Sequence, residues 1–148
     1  MQRKIIPDVT QKSVVISLAP NDTATMAAKI MKEKNIAAIL VTGKSGKLDG
    51  IVTERDLTRR VMAQGLNPDE TTLKKIMTKD PDTLAPADSA GEALELMRTR
   101  SFRHLPIVEN GLPVAMVSIR DLYSVMKSDL EHEIRETEAF VFGDRYSA

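Results

Sequence analysis

The chain has no cysteine and no tryptophan, and aromatic residues make up only 3% of its 148 residues. Without cysteine there can be no disulfide, no thiolate zinc site and no cysteine nucleophile, which fits a reducing compartment. Charge of one sign is not in excess either: Lys+Arg and Asp+Glu both count 21, so the formal net charge is zero. No global basic field exists to hold nucleic acid. No apolar run approaches the roughly 20 residues that a membrane-spanning helix needs. Residues 1–10 lack the apolar stretch of a secretory signal. These absences lead us to expect a cytoplasmic protein with neither a membrane nor a nucleic-acid partner. Catalytic signatures are missing as well. There is no G-x-x-x-x-G-K-[ST] and no G-x-S-x-G, and His104 and His132 are the only histidines. We therefore expect no enzyme and no required metal.

What is present suits a globular core. Hydrophobic residues are 42% and charged residues 28%, ordinary values for a chain whose length suits one domain. With few aromatics, eight methionines and many aliphatic residues must fill the interior. Met26, Met31, Met62, Met97 and Met126 fall in helical stretches, where gap-filling in a core is the expectation and a Met-rich binding groove the alternative.

The chain is an internal repeat. Residues 18–23 (LAPNDT) recur at 84–89 (LAPADS), a shift of 66. The shift holds where 27–41 lies over 93–107. It becomes 65 after a turn one residue shorter, so that IVTERDL (51–57) lies over MVSIRDL (116–122). Two units of about sixty residues follow, each marginal alone and stable as a packed pair. In the first, Val14–Leu18 reads as a strand, Thr23–Lys34 as a helix capped by Asp22 or Thr23, and Ile36–Val41 as a buried strand. Gly50–Thr53 reads as a strand and Arg55–Gln64 as a helix, with Gly65 beyond its end. Between the two later strands lies the turn TGKSGKLDG. Its glycines open no helix, so it is no phosphate loop. In the second unit Asn110-Gly111 is a strong hairpin signal. The boundaries are 1–66 for the first unit, 67–78 for a linker with one short helix around Leu73, Ile76 and Met77, and 79–128 for the second unit. A helical extension occupies 129–148. It continues an apolar stripe through Leu122, Val125, Met126, Leu130, Ile134 and Val141, for its own body or a second chain to cover.

The stretches Thr53-x-Arg55-Asp56 and Ser118-x-Arg120-Asp121 admit two readings. As capping boxes, Thr53 and Ser118 cap helices and the aspartates reach back from the third position. Yet Arg55 and Arg120 put a cation in each first turn, against the helix dipole, where an anion would compensate. A hydroxyl, a guanidinium and a carboxylate at one strand–helix junction suit a phosphorylated ribose, the carboxylate accepting the vicinal hydroxyls. Arg103 and His104 open a strand in the second unit where the first has Ala37 and Ala38. A solvated pair is one account; a phosphate-holding pair is the other. Two unequal sites would follow.

In their order and their duplication these motifs resemble a tandem pair of CBS domains, a Bateman module, in its small stand-alone bacterial form. The match covers about residues 10–128. It implies an α/β (α+β) fold of two β-α-β-β-α units about a pseudo-twofold axis, and clefts that bind AMP, ADP, ATP, NAD(H) or S-adenosylmethionine. It further implies that Asp56 and Asp121 take ribose hydroxyls. One cleft would combine Thr53, Arg55 and Asp56 with Thr83, Phe102, Arg103 and His104. The other would combine Ser118, Arg120 and Asp121 with Ser17, Ile36, Ala37 and Ala38. Apolar residues, Leu105 and Pro106 among them, would hold adenine. Ala115 stands where the motif has glycine, and the first unit lacks the basic pair, so the Asp56 cleft is the one expected to take a phosphate-rich ligand. The expected role is regulation by an adenine nucleotide, in a homodimer and with a possible separate regulated protein. A ligand-free scaffold is the alternative.

Overall fold

The computed structural model describes residues 2–146. Each unit is organised around a helix that follows a tight turn. In the first, Asp22 accepts the Ala19 amide at 2.8 Å and Thr23 caps α1 (Ala24–Lys34) by accepting the Met26 amide at 3.3 Å. In the second, Asp88 accepts the Ala85 amide at 2.7 Å and Ser89 forms a capping box with Glu92. Both helices end on a residue in the left-handed region, Asn35 and Ser101, one repeat apart.

Strand β1 is only Ser17–Leu18, running parallel to β2 (Ala38–Thr42). The strand expected over Val14–Leu18 is shortened because the Ser13 amide bonds to Val114 of the other unit. That crossing leaves Val14 96% exposed. Antiparallel to β2 lies β3 (Leu48–Thr53), longer than expected and joined to it by a turn around Gly46. Helix α2 (Glu54–Asp56) runs on as wider, π-type turns over Leu57–Met62, where amides reach back five residues. Gly65 follows at φ 67°, the conformation foreseen for it. Next come α3 (Leu73–Ile76) and β4 (Thr78–Lys79), which pairs with β3. In the second unit α4 (Ala90–Arg100) precedes the hairpin of β5 (His104–Glu109) and β6 (Leu112–Ser118). Asn110 and Gly111 both have positive φ at its tip, as the hairpin signal requires. A single bridge, Leu84 to Ile107, replaces the first strand. The last helix, α5, is Ile119–Tyr146.

The expected linker is part of a core. Leu73 and Ile76 are fully buried among Ala24, Ala27, Met31, Ile39, Val41 and Val52. Residues 71–74 clasp the start of α1: the Ala24 amide bonds to Thr71 O, Leu73 N to Asp22 O and Lys74 N to Pro20 O. The chain's first residues do the same for α4. The Ala90 amide bonds to Arg3 O, Ile5 N to Asp88 O and Ile6 N to Pro86 O. Ile5 is buried in the second core beside Ala90, Ala93, Met97 and Leu105. The clasps are thus exchanged: the segment that precedes unit two serves unit one, and the reverse. Arg3 also pairs with Asp129 of α5. A seam of Ala38, Leu40 and Ile51 with Val15 and Met116 joins the units.

One expectation about apolar residues needs correction. Met31 and Met97 fill cores, but Met26 is 43% and Met62 78% exposed, because they fall on the outer faces of their helices. The stripe on α5 is covered only at its start. Leu122 is buried, whereas Leu130, Ile134 and Val141 are exposed, since the helix runs past the body.

Candidate functional site

Both T/S-x-R-D stretches form complete caps. Asp56 Oδ2 accepts the Thr53 amide at 2.9 Å and the Thr53 hydroxyl at 3.2 Å, and Thr53 Oγ1 lies 3.3 Å from the Asp56 amide. Asp121 Oδ2 accepts the Ser118 amide at 2.8 Å and its hydroxyl at 2.9 Å. Capping therefore occupies one oxygen of each carboxylate. A carboxylate has two. The second oxygen of Asp56 faces the Arg60 Nε at 3.6 Å, too long for a hydrogen bond. For Asp121 Oδ1 no donor lies in hydrogen-bond range among the described residues. A carboxylate so placed can cap its helix and still accept hydroxyls from a ligand. The two readings of the motif are compatible.

A cavity of about 350 Å³ opens between the start of α2 and the start of β5. Thr53, Arg55 and Asp56 line it from the first unit; Phe102, Arg103, His104 and Leu105 line it from the second. The equivalent backbone bonds explain how the units present these groups: Glu54 N to Ala37 O at 3.0 Å and Ile119 N to Arg103 O at 2.9 Å. Each strand start is pinned to the helix start of its own unit. Of the residues grouped by sequence with Asp56, Thr83 does not line the cavity; it is exposed. Ala37, grouped with Asp121, does line it. Ser17, Ile36, Ala38, Ser118, Arg120 and Asp121 lie outside it, as does Pro106, which is buried within β5. Sequence reasoning missed Ile51, Glu54, Arg60, Thr78, Pro81, Asp82 and Ser101. Arg60 carried a signal, being one helical turn from Asp56. Ile51 and Glu54 flank Thr53, and Ser101 precedes Phe102, so they follow from their neighbours; Thr78, Pro81 and Asp82 depend on the path of the chain around β4, which no local pattern encodes.

The cavity's charges are partly spent. Arg60 faces Asp56 and also donates to Ile76 O at 2.9 Å. Asp82 faces Arg100 at 4.0 Å. Arg55 and Arg103 have no carboxylate within ion-pair distance among the described residues. His104 is half-buried, and burial holds its pKa below the ordinary histidine range. The carboxylates of Asp121 and Glu54 oppose that shift and Arg103 adds to it. The imidazole is thus neutral at pH 7, with a proton within reach if an anion arrives. Among the described residues no group of three or more metal-ligating side chains gathers.

Gly50 has a local cause. A Cβ there would meet Met77 Sδ at 2.5 Å and Thr78 O at 2.8 Å, because β4 crosses beside β3. Its counterpart Ala115 lies on β6, which pairs only with β5 in its sheet, so a methyl group fits.

A family model of the CBS domain matches residues 8–63 and again 73–128. The chain belongs to the CBS domain family. As a CBS pair it is similar to a CBS domain-containing protein of Arabidopsis thaliana, 39% identical over 107 residues, which are 72% of this chain and 19% of that protein. The chain therefore spans only a small part of those plant relatives. An uncharacterized protein of Methanopyrus kandleri is 31% identical over 140 residues, 92% of this chain and 71% of that protein. Among solved structures, a protein with CBS domains from Burkholderia ambifaria superposes with a TM-score of 0.79 at 31% identity, covering 86% of this chain and 96% of that one. A CBS domain protein from Pyrobaculum aerophilum, complexed with AMP, gives 0.69 at 29% identity, covering 74% and 84%. No helix among the described residues is long and apolar enough to cross a membrane.

Proposed function

We propose that this CBS pair is a regulatory module that binds an adenine nucleotide between its units and acts as a homodimer in the cytoplasm on a separate protein. One observation carries the reading: a cavity in which a half-used aspartate from one unit meets an unpaired guanidinium from each. Ribose hydroxyls would go to Asp56 Oδ1. The phosphate would go to Arg55 and Arg103, with His104 alongside. Adenine would lie against Ile51, Phe102 and Leu105. Two unpaired guanidiniums balance one phosphate, and Glu54 on the cavity wall works against a third. AMP fits this balance better than ATP. The AMP held by the Pyrobaculum relative supports the ligand class. The names of the matched relatives, which call them CBS domain-containing proteins, support a non-enzymatic role.

Calorimetry with AMP, ATP, NADH and S-adenosylmethionine, on protein shown to be purified empty, tests this. AMP is expected to bind, and to bind about tenfold or more weakly to Asp56→Asn than to Asp121→Asn, because one charge-accepted hydrogen-bond pair is lost. Binding should also raise the melting temperature. If no adenosine ligand binds, the scaffold reading stands, with both aspartates as caps only. If Asp56→Asn melts earlier but binds as well as before, that residue is a cap alone.

A further inference from the structure

The first unit carries an apolar groove. Helix α1 and the π-type turns after α2 form it, with a volume of about 590 Å³. Leu57, Val61, Met62 and Leu66 line it. Among the described residues its only charged lining ones are Lys29 and Lys32, one turn apart on α1. Neither lysine has a carboxylate within ion-pair distance among the described residues. Met62, 78% exposed at this groove, is a large side chain that burial would stabilise.

The helical extension carries the complement. Residues 130–143 of α5 read LEHEIRETEAFVFG. Four glutamates stand there against one arginine. Leu130, Ile134 and Val141 fall along one helical stripe, with Phe140 at its edge, and all are about half or more exposed. Every residue from 131 to 143 is exposed. A helix this uncovered gains nothing from packing, and its own propensity leaves it marginal. It does not fill the groove of its own chain: residues 131–143 are exposed, and the base of α5 packs on α4 and on residues 5–9.

We infer that the last turns of α5 from one copy lie in the α1 groove of a second copy, and that the exchange is mutual. Leu130, Ile134 and Val141 would be the anchors, spaced as in other helix-in-groove contacts. The flanking glutamates would meet Lys29 and Lys32. The 14 residues span about 21 Å, enough to run the length of α1. Under two-fold symmetry each contact occurs twice. Two grooves and two tails then contribute toward the roughly 1,200–2,000 Å² that a stable pair buries. This joint rests on the homodimer part of the proposed function and is independent of the nucleotide part.

A complementation experiment tests it in the full chain. A tail variant carries Ile134→Glu and Val141→Glu; a groove variant carries Ala28→Glu and Met62→Glu. All four positions are exposed, and unchanged melting of a dilute sample would show that each variant folds. Each variant alone is expected to dimerise about thirtyfold or more weakly by sedimentation equilibrium, the loss of hot-spot contacts. Mixed, they should recover a heterodimer in native mass spectrometry, because one intact tail meets one intact groove. Added salt should weaken the wild-type dimer. A tail variant that remains dimeric would overturn the joint and show the bodies pairing directly. A groove variant that remains dimeric while the tail variant does not would show tails pairing with tails. A monomeric wild type would remove the dimer reading as well, and AMP binding would still be measurable on that monomer.

Discussion

The two units fill the same core slots with related residues. Ala24, Ala27, Met31, Ile39 and Val41 of the first match Ala90, Ala93, Met97, Leu105 and Ile107 of the second. They differ at their edges. The first has a four-stranded sheet; the second has a bare hairpin. At the start of β2 the first has Ala37 and Ala38; at the start of β5 the second has Arg103 and His104. The departures make the two clefts unequal, while the T/S-x-R-D positions recur in both units. The cavity forms where the helix start of one unit meets the basic strand start of the other, so one unit supplies the half-used carboxylate of Asp56 and both supply cations.

The exchanged clasps offer the strongest way to break this symmetry. Leu73→Ala removes a fully buried side chain from the first core, and Ile5→Ala does so from the second. Each is expected to cost about 2–5 kcal/mol, read as a shift in denaturant midpoint. Because each segment lies outside the unit it stabilises, Ile5→Ala should raise hydrogen exchange in α4 and β5 before α1. The opposite pattern would show that the N-terminal residues serve the first unit.

Those clasps mark the limit of what was legible in sequence. Capped helices, buried strands, the Asn110-Gly111 hairpin and the repeat itself are local patterns, and the fold contains them. Segments 3–9 and 71–77 share little beyond apolar spacing, and their exchange is a matter of chain path. Leu73 and Ile76 read correctly as a short helix, but in a linker rather than a core. Val14 and Val15 looked like strand because β-branched residues favour one; whether a partner strand is there is not a local property. At the site, the Asp56 and Asp121 caps were legible from spacing, as was the pairing of Arg55 with Arg103 through the resemblance. The contributions of Asp82, Thr78 and Pro81 to the cavity wall were not, for the same reason as the clasps.

The glycine difference gives a smaller effect. Gly50→Ala forces a methyl group against the Thr78 carbonyl and Met77, and a backbone neighbour gives way less readily than a side chain. A loss of about 1–3 kcal/mol is expected. Ala115→Gly in the other unit should cost about 1–2 kcal/mol, from backbone entropy and the lost burial of one methyl group. If Gly50→Ala costs nothing, β4 is not the reason for the asymmetry.

The smallest effect separates stability from binding at one group. Burial lowers the folded-state pKa of His104 below its ordinary value of 6.5, so the folded protein takes that proton later than the unfolded chain does. The stability gained by keeping the ring neutral is present above pH 6.5 and is lost as pH falls through the lowered folded pKa. A phosphate beside Arg103 changes the sign. It favours the protonated ring and draws its pKa back up, so affinity should rise as pH falls below 6.5 while the empty protein becomes less stable. The gain is about fivefold, the worth of turning a neutral hydrogen bond into a charge-assisted one. Comparing wild type with His104→Gln at each pH cancels the titration of the nucleotide's own phosphate. A ratio of affinities that stays flat across pH 6.5 would place the phosphate out of reach of His104, and would leave the cation pair of Arg55 and Arg103 to hold it alone.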